Sequence, residues 1–176
     1  MKTRIFISLF LVFCGVLMLS SCGKKPITET DEYFIYTLLE DGSYSIGAKD
    51  KNNLPEDLVL PGFFQGKKVS CVAEGGFSGC NIIVTVTIHE NIKYINNEAF
   101  SRCNNLVIVN LHKQILGIGN GSFANCPNFL YINYDGTEAQ WDNVSLYGNW
   151  NVFSDQMVVN CTDGIVRPKS QTPKFD

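Results

Sequence analysis

This sequence of 176 residues is short of the groups and motifs that carry chemistry. It holds 2 histidines, His89 and His112, spaced 23 residues apart. There is no Cys-x-x-Cys pair, no glycine loop of the kind that cradles phosphate, no G-x-S-x-G and no H-E-x-x-H. The acids are scattered rather than paired in one recognisable context. These absences speak against catalysis, and neither enzyme activity nor a cofactor is expected. Basic residues are also few, 14 Lys and Arg against 17 Asp and Glu. Nucleic-acid binding wants a concentrated basic face, so no nucleic-acid partner is expected. Long apolar runs are absent except for Ile5 to Leu19. Fifteen residues at helical rise cover ~22 Å, short of the ~30 Å hydrocarbon core of a bilayer, which makes a spanning helix the weaker reading.

What stands around that run gives it another meaning. Lys2 and Arg4 precede it, and a basic start followed by an apolar core is an export signal, here residues 1–21, to be set aside before fold reasoning. The run ends in Leu19-Ser20-Ser21-Cys22, which resembles the lipobox of bacterial lipoproteins. The resemblance implies a diacylglycerol on the Cys22 thiol, cleavage before it and acylation of the new amino terminus. Several acyl chains, at ~0.8 kcal/mol per buried CH₂, would hold the protein on a membrane. It further implies an address in the bacterial cell envelope, at the outer membrane or cell surface. Removing residues 1–21 leaves 155 residues, room for one compact domain or a short repeat array. Residues 22–32 are polar and read as a tether.

Three stretches then align without a gap: VSCVAEGGFSGCNIIVTVTIHEN from Val69, IKYINNEAFSRCNNLVIVNLHKQ from Ile92 and ILGIGNGSFANCPNFLYINYDGT from Ile115. Phe77, Phe100 and Phe123 match, as do Cys80, Cys103 and Cys126, and Gly76, Ala99 and Ser122 keep one position small. The apolar positions Val72/Ile95/Ile118, Ile83/Leu106/Phe129, Val86/Val109/Ile132 and Ile88/Leu111/Tyr134 repeat as well. A fixed period of this length is the signature of stacked coils, none of which can bury its own apolar edge. Ile-x-x-Ile, then small-Phe-x-x-Cys-x-x-Leu, then Ile-x-Ile resembles the BspA-like branch of leucine-rich repeats. The resemblance extends to Leu58–Pro61 with Gly66–Val69, similar to a first, longer coil, and to Asp135–Thr137 and Cys161–Gly164, similar to a C-terminal closure. One departure is that the proline common after the Ile-x-Ile strand is replaced by His89, His112 and Asp135.

The expected fold is therefore a leucine-rich-repeat solenoid of the right-handed β/α superhelix class. It should be strand-dominated, with short helices or turns on the return path. Residues 33–68 should form an N-terminal cap and first irregular coil, residues 69–137 the three repeats, and residues 138–176 a C-terminal cap and tail. Residues 33–47 alternate around Asp41-Gly42, a hairpin signal. Thr137-Glu138-Ala139-Gln140 reads as a capping box opening a helix, from which Trp141, Val144 and Leu146 would cover the last coil. Ile-x-Ile alternation marks one half-buried strand per coil, and the Phe and Cys positions should point inward.

Repeat logic absorbs most residues that look chemical. Cys80, Cys103 and Cys126 should stack ~4.8 Å apart in a line, which cannot close around one ion, so they read as core fillers and no metal site is assigned. Cys71 and Cys161 stand outside the line, and a disulfide between them would require the tail to fold back along the array. His89, His112 and Asp135 share one repeat position, either a shared metal site or a solvated row past the strand ends. The residues left over face outward from the strands: Thr85, Ile108 and Tyr131 in one column, Thr87, Asn110 and Asn133 in the next. Ile108 and Tyr131 are apolar where the repeat does not demand it, which suits recognition, against the alternative of ordinary strand-face residues. A second aromatic group, Tyr147, Trp150 and Phe153 with Trp141, reads first as cap packing. Together these features, with the BspA-like resemblance, imply a membrane-anchored, non-catalytic module that binds or adheres to a host or neighbouring-cell surface protein. The alternatives are an accessory glycan-binding envelope lipoprotein and a purely structural surface protein.

Overall fold

The structure, a computed structural model, describes residues 26–154 and 156–168, so the segment read as an export signal and Cys22 lie outside the described residues. Among the described residues no helix is long and apolar enough to cross a membrane. The chain begins with β1 (Thr28–Thr30), β2 (Phe34–Leu38) and β3 (Tyr44–Ala48), an antiparallel ribbon. The β2–β3 hairpin turns at Asp41-Gly42 as expected. Gly42 takes φ +81, and the Asp41 carboxylate accepts the Ser43 amide at 2.9 Å. β1 lies within the segment read as a polar tether. It pairs antiparallel with β2, and two tyrosines of the hairpin tie it down further: Tyr44 donates its hydroxyl to Glu29 and Tyr36 donates to Asp31, each at 2.7 Å.

The chain then winds in coils. β4 (Asp57–Leu60) is followed by the small hairpin β5 (Phe63–Phe64) and β6 (Lys67–Val72). The next coils supply β7 (Thr85–Ile88) with β8 (Tyr94–Ile95), then β9 (Ile108–Leu111) with β10 (Gly117–Ile118). After them come β11 (Tyr131–Tyr134), the single-turn helix α1 (Glu138–Trp141), β12 (Ser145–Leu146), β13 (Val158–Asn160) and β14 (Ile165–Val166). β4, β7, β9, β11 and β13 pair in parallel to make a front sheet, which β14 joins antiparallel. β3, β6, β8, β10 and β12 pair in parallel to make a rear sheet, which the N-terminal hairpin extends. The solenoid is thus almost pure strand, with two sheets where one strand per coil was expected. The Ile-x-x-Ile segments that open each repeat form the second sheet.

The third side of each coil is hydrogen-bonded too. Phe77 N–H donates to Ala99 O, Phe100 to Ser122 O and Phe123 to Trp150 O, at 2.7–2.8 Å. Those turns need left-handed backbone at two places per coil: Gly75, Glu98, Gly121 and Gly148, then Gly79, Arg102, Asn125 and Phe153. Burial of backbone polar groups without partners is costly, and here every side of the coil passes its hydrogen bonds to the next coil instead.

The core lies between the sheets. Phe77, Phe100 and Phe123 are fully buried and stack, with centroids 5.1 and 5.6 Å apart and planes within 9°. Phe34 meets one end of that column edge-on at 6.2 Å, and Trp150 meets the other at 6.3 Å. Cys80, Cys103 and Cys126 point inward, and the line has a directional role besides filling space. Cys103 donates its thiol to Phe77 O and Cys126 to Phe100 O, both at 3.1 Å. Ser154 continues the series, donating to Phe123 O at 2.8 Å. Burial pushes the Cys80 and Cys126 thiols up to about 11, and Cys103 higher still.

Residues 138–160 therefore contain a further coil, with Trp150 in the position of Ala99 and Ser122, buried Asn151 in the Phe position and Ser154 in the Cys position. The capping box at Thr137 is present: Thr137 Oγ1 accepts from Gln140 N and Gln140 Oε1 accepts from Thr137 N. Only Trp141 is on that helix; Val144 follows it and Leu146 belongs to β12.

Candidate functional site

The front sheet carries the predicted residues on its outer face. Its register pairs Asp57, Thr85, Ile108, Tyr131 and Val158 across one row, and Val59, Thr87, Asn110, Asn133 and Asn160 across another. All six residues singled out from sequence are brought together: Thr85, Thr87, Ile108, Asn110, Tyr131 and Asn133. The face also includes residues that sequence reasoning missed. Val59, 64% exposed, and Val158 extend the rows at either end, and Ile165 of β14, 57% exposed, lies opposite Asn160. The signal was present in Val158-Val159-Asn160, which repeats the Tyr131-Ile132-Asn133 pattern, but at a spacing of 27 rather than 23. With five parallel strands ~4.8 Å apart, the face is ~19 Å across, wider than three copies alone would give.

The two rows differ in kind. The second is an amide ladder: Asn110 Nδ2 donates to Thr87 Oγ1 at 3.0 Å, Asn133 Nδ2 to Asn110 Oδ1 at 2.9 Å, and Asn160 Nδ2 to Asn133 Oδ1 at 3.0 Å. Its members hold one another in fixed rotamers. The first row presents half-buried Ile108 and Val158 around Tyr131, which is 40% exposed. Leu130, Ile165 and Arg167 join Tyr131 and Val158 around a shallow cleft of about 310 Å³.

Past the strand ends the ladder borders a groove of about 390 Å³ that also includes Leu111, His112, Tyr134, Asp135 and Cys161. His112 Nε2 lies 3.3 Å from Asp135 Oδ2 and 3.7 Å from Glu90 Oε2. His89 does not join them. Its Nδ1 accepts the Asn91 N–H at 3.1 Å, and its ring lies over Gly62, where a Cβ would fall 2.1 Å from Nδ1. Among the described residues no group of three or more His, Cys, Asp or Glu side chains is arranged to hold a metal. Cys71 and Cys161 are both free thiols; Cys71 is buried in the rear sheet, and Cys161 directly follows β13. Of the C-terminal aromatics, Trp141 and Trp150 are buried and pack in the interior, while Tyr147 and Phe153 stay exposed.

No protein of curated function matches the chain. Among solved structures the chain is similar to the leucine-rich-repeat protein of T. pallidum, at 21% identity and TM-score 0.61, covering 74% of this chain and 58% of that one. It is similar also to a leucine-rich-repeat protein from Bacteroides capillosus, at 22% identity and TM-score 0.55, over 69% of this chain and 99% of that one. A third, from Bacteroides ovatus, gives 18% identity and TM-score 0.57, over 76% of this chain and 40% of that one. At these identities the likeness establishes the fold alone, and the chain spans only 58% of the T. pallidum protein's length. The family model "BspA type Leucine rich repeat region (6 copies)" matches residues 63–153, more than half of the chain. The stacked coils, their inward Phe and Cys positions and this match agree: the chain belongs to the BspA type leucine-rich-repeat family.

Proposed function

We propose that this protein is a lipid-anchored module of the bacterial cell envelope, at the outer membrane or cell surface, that binds or adheres to a surface protein of a host or neighbouring cell without catalysing a reaction. Leucine-rich repeats generally mediate protein binding. The observation that carries the reading to this chain is the front face, where Ile108, Tyr131 and Val158 line up beside a self-braced amide ladder that Val59 and Ile165 flank at its two ends. Aromatic and apolar side chains on a rigid sheet lose little freedom on binding, and pre-ordered amides supply hydrogen bonds at low entropic cost. Strands of four residues give a face ~13 Å tall and ~19 Å wide. That is well below the ~800 Å² per partner of a stable interface, so single-site affinity should be weak and avidity on a coated surface decisive.

Saturable binding of the purified protein to an array of matrix and cell-surface proteins, displayed multivalently, tests this. Replacing Ile108 and Tyr131 together by alanine is expected to weaken capture at least tenfold. Undiminished capture by the double variant, or none by the wild type, overturns the reading. The anchor has its own test: Cys22→Ala should abolish palmitate labelling while export continues.

A further inference from the structure

We propose that the rear sheet carries a second, separate site: the cleft between Tyr94 and Tyr147, floored by Gly117 and Gly119, binds a neutral oligosaccharide. Tyr94 on β8, Gly117 on β10 and Ser145 on β12 occupy one row across the parallel strands, and Tyr147 follows two residues after Ser145. Gly117 leaves the middle strand of this row bare. The tyrosines on either side close over it; a Cβ there would lie 3.3 Å from Tyr94 Cδ1 and 3.4 Å from Tyr147 Cε2. Gly119, just past β10, lets Asn97 pack against the backbone at the end of that floor; a Cβ there would lie 2.6 Å from Asn97 N. The result is a hollow of about 320 Å³ with tyrosine walls and a peptide floor, rimmed by Glu74, Asn96 and Asn97.

Each part matches a feature of a sugar ring. Tyr94 is 46% exposed and Tyr147 57% exposed, so each ring keeps open surface to offer the C–H side of a pyranose. A tyrosine offers an apolar body and a polar tip, and such amphipathic rings serve sites that are dry at one end and wet at the other. The carboxylate and two amides at the rim offer acceptors and donors to ring hydroxyls. The volume lies at the small end of ligand sites that combine apolar walls with a few convergent polar groups. Charge narrows the class. Glu74 is the only acidic residue lining the cleft and no Lys or Arg lines it, so like-charge repulsion disfavours sulfated or uronic-acid chains. Trp141 and Trp150, the residues that would most often make a sugar platform, are buried and leave the role to the tyrosines.

The test is calorimetric titration of the purified protein at high concentration with neutral gluco-, manno-, xylo- and N-acetylglucosamine oligosaccharides of four to six units. Heparin fragments of similar length serve as the anionic arm. The expected result is binding of at least one neutral series, weakened at least tenfold by Tyr147→Ala and by Tyr94→Ala and unchanged by Tyr131→Ala on the front sheet. Circular dichroism of each variant checks that the coils persist. No binding by any neutral series, preferential binding of heparin, or equal loss in the Tyr131→Ala variant overturns the proposal. Capture of proteins by the front face can fail while this site binds, and the reverse, so the two readings fall separately.

Discussion

Removing the middle ring of the phenylalanine column is the sharpest test of how the coils hold together. Phe100 is fully buried and faces two partners, Phe77 at 5.1 Å and Phe123 at 5.6 Å. Truncating a buried phenylalanine to alanine costs about 3–5 kcal/mol. Each lost aromatic pair adds roughly 0.5–1.5 kcal/mol beyond buried area, which puts Phe100→Ala near the top of that range, about 5 kcal/mol. Phe34 touches the same column at one end only and is slightly exposed, but it also pairs edge-on with Tyr33 and Tyr36, so Phe34→Ala should cost about 3–4 kcal/mol. With a urea slope of about 2 kcal/mol per molar, the Phe100→Ala midpoint should fall by about 2.5 M. The assay is urea unfolding followed by tryptophan fluorescence and by far-UV circular dichroism. Trp141 and Trp150 are both buried at the C-terminal end, beyond the mutated coil, and Trp150 contacts Phe123. If nearest-neighbour coupling makes the array cooperative, both signals shift together. A Phe100→Ala loss below about 1.5 kcal/mol would refute the reasoning.

Two further outcomes are expected. Burial holds the Cys80 and Cys126 thiols near 11 and Cys103 higher, whereas an unfolded thiol ionises near 9. The unfolded chain thus releases these protons first, so stability is level below pH 9 and falls between pH 9 and 11, by about 2–3 kcal/mol for each of Cys80 and Cys126. Urea midpoints at pH 7, 9 and 10.5 measure it, and a flat profile would contradict it. Gly119→Ala places a methyl against Asn97 backbone and should lower stability by about 1–3 kcal/mol; an unchanged melting temperature would mean that the rear-sheet turn is looser than described.

The sequence reached the repeat, its inward Phe and Cys positions and the outer columns of the front sheet, because those residues recur at a fixed spacing with a clear alternation. It did not reach the rear sheet. Tyr94–Ile95 and Gly117–Ile118 are two-residue strands, too short to carry a period, and their pairing is imposed by the stacked coils on either side. The last coil is hidden in the sequence because Asn151 and Ser154 replace Phe and Cys, and extra residues around α1 stretch the spacing. Thr28–Thr30 reads as tether because its residues are polar; its place comes from backbone pairing with β2 and from phenol hydroxyls of the hairpin. The Tyr94–Tyr147 cleft was invisible for a related reason, since the two tyrosines belong to coils with different spacings and meet only across Gly117.

The amide ladder has a consequence for self-association. Parallel, in-register strands with stacked asparagines are the arrangement that lets identical chains add to one another without limit in fibrils. Here the series stops at Asn160. The next strand, β14, runs antiparallel and sets Ile165, not another amide, opposite Asn160. A second molecule arriving at that end finds a reversed strand direction and no amide to continue the row. At the other end Val59 of β4 stands in the ladder position beside Asp57, so the row begins as it finishes, without an asparagine. The coils can therefore share the hydrogen bonding that stabilises a fibril while the molecule keeps a fixed length.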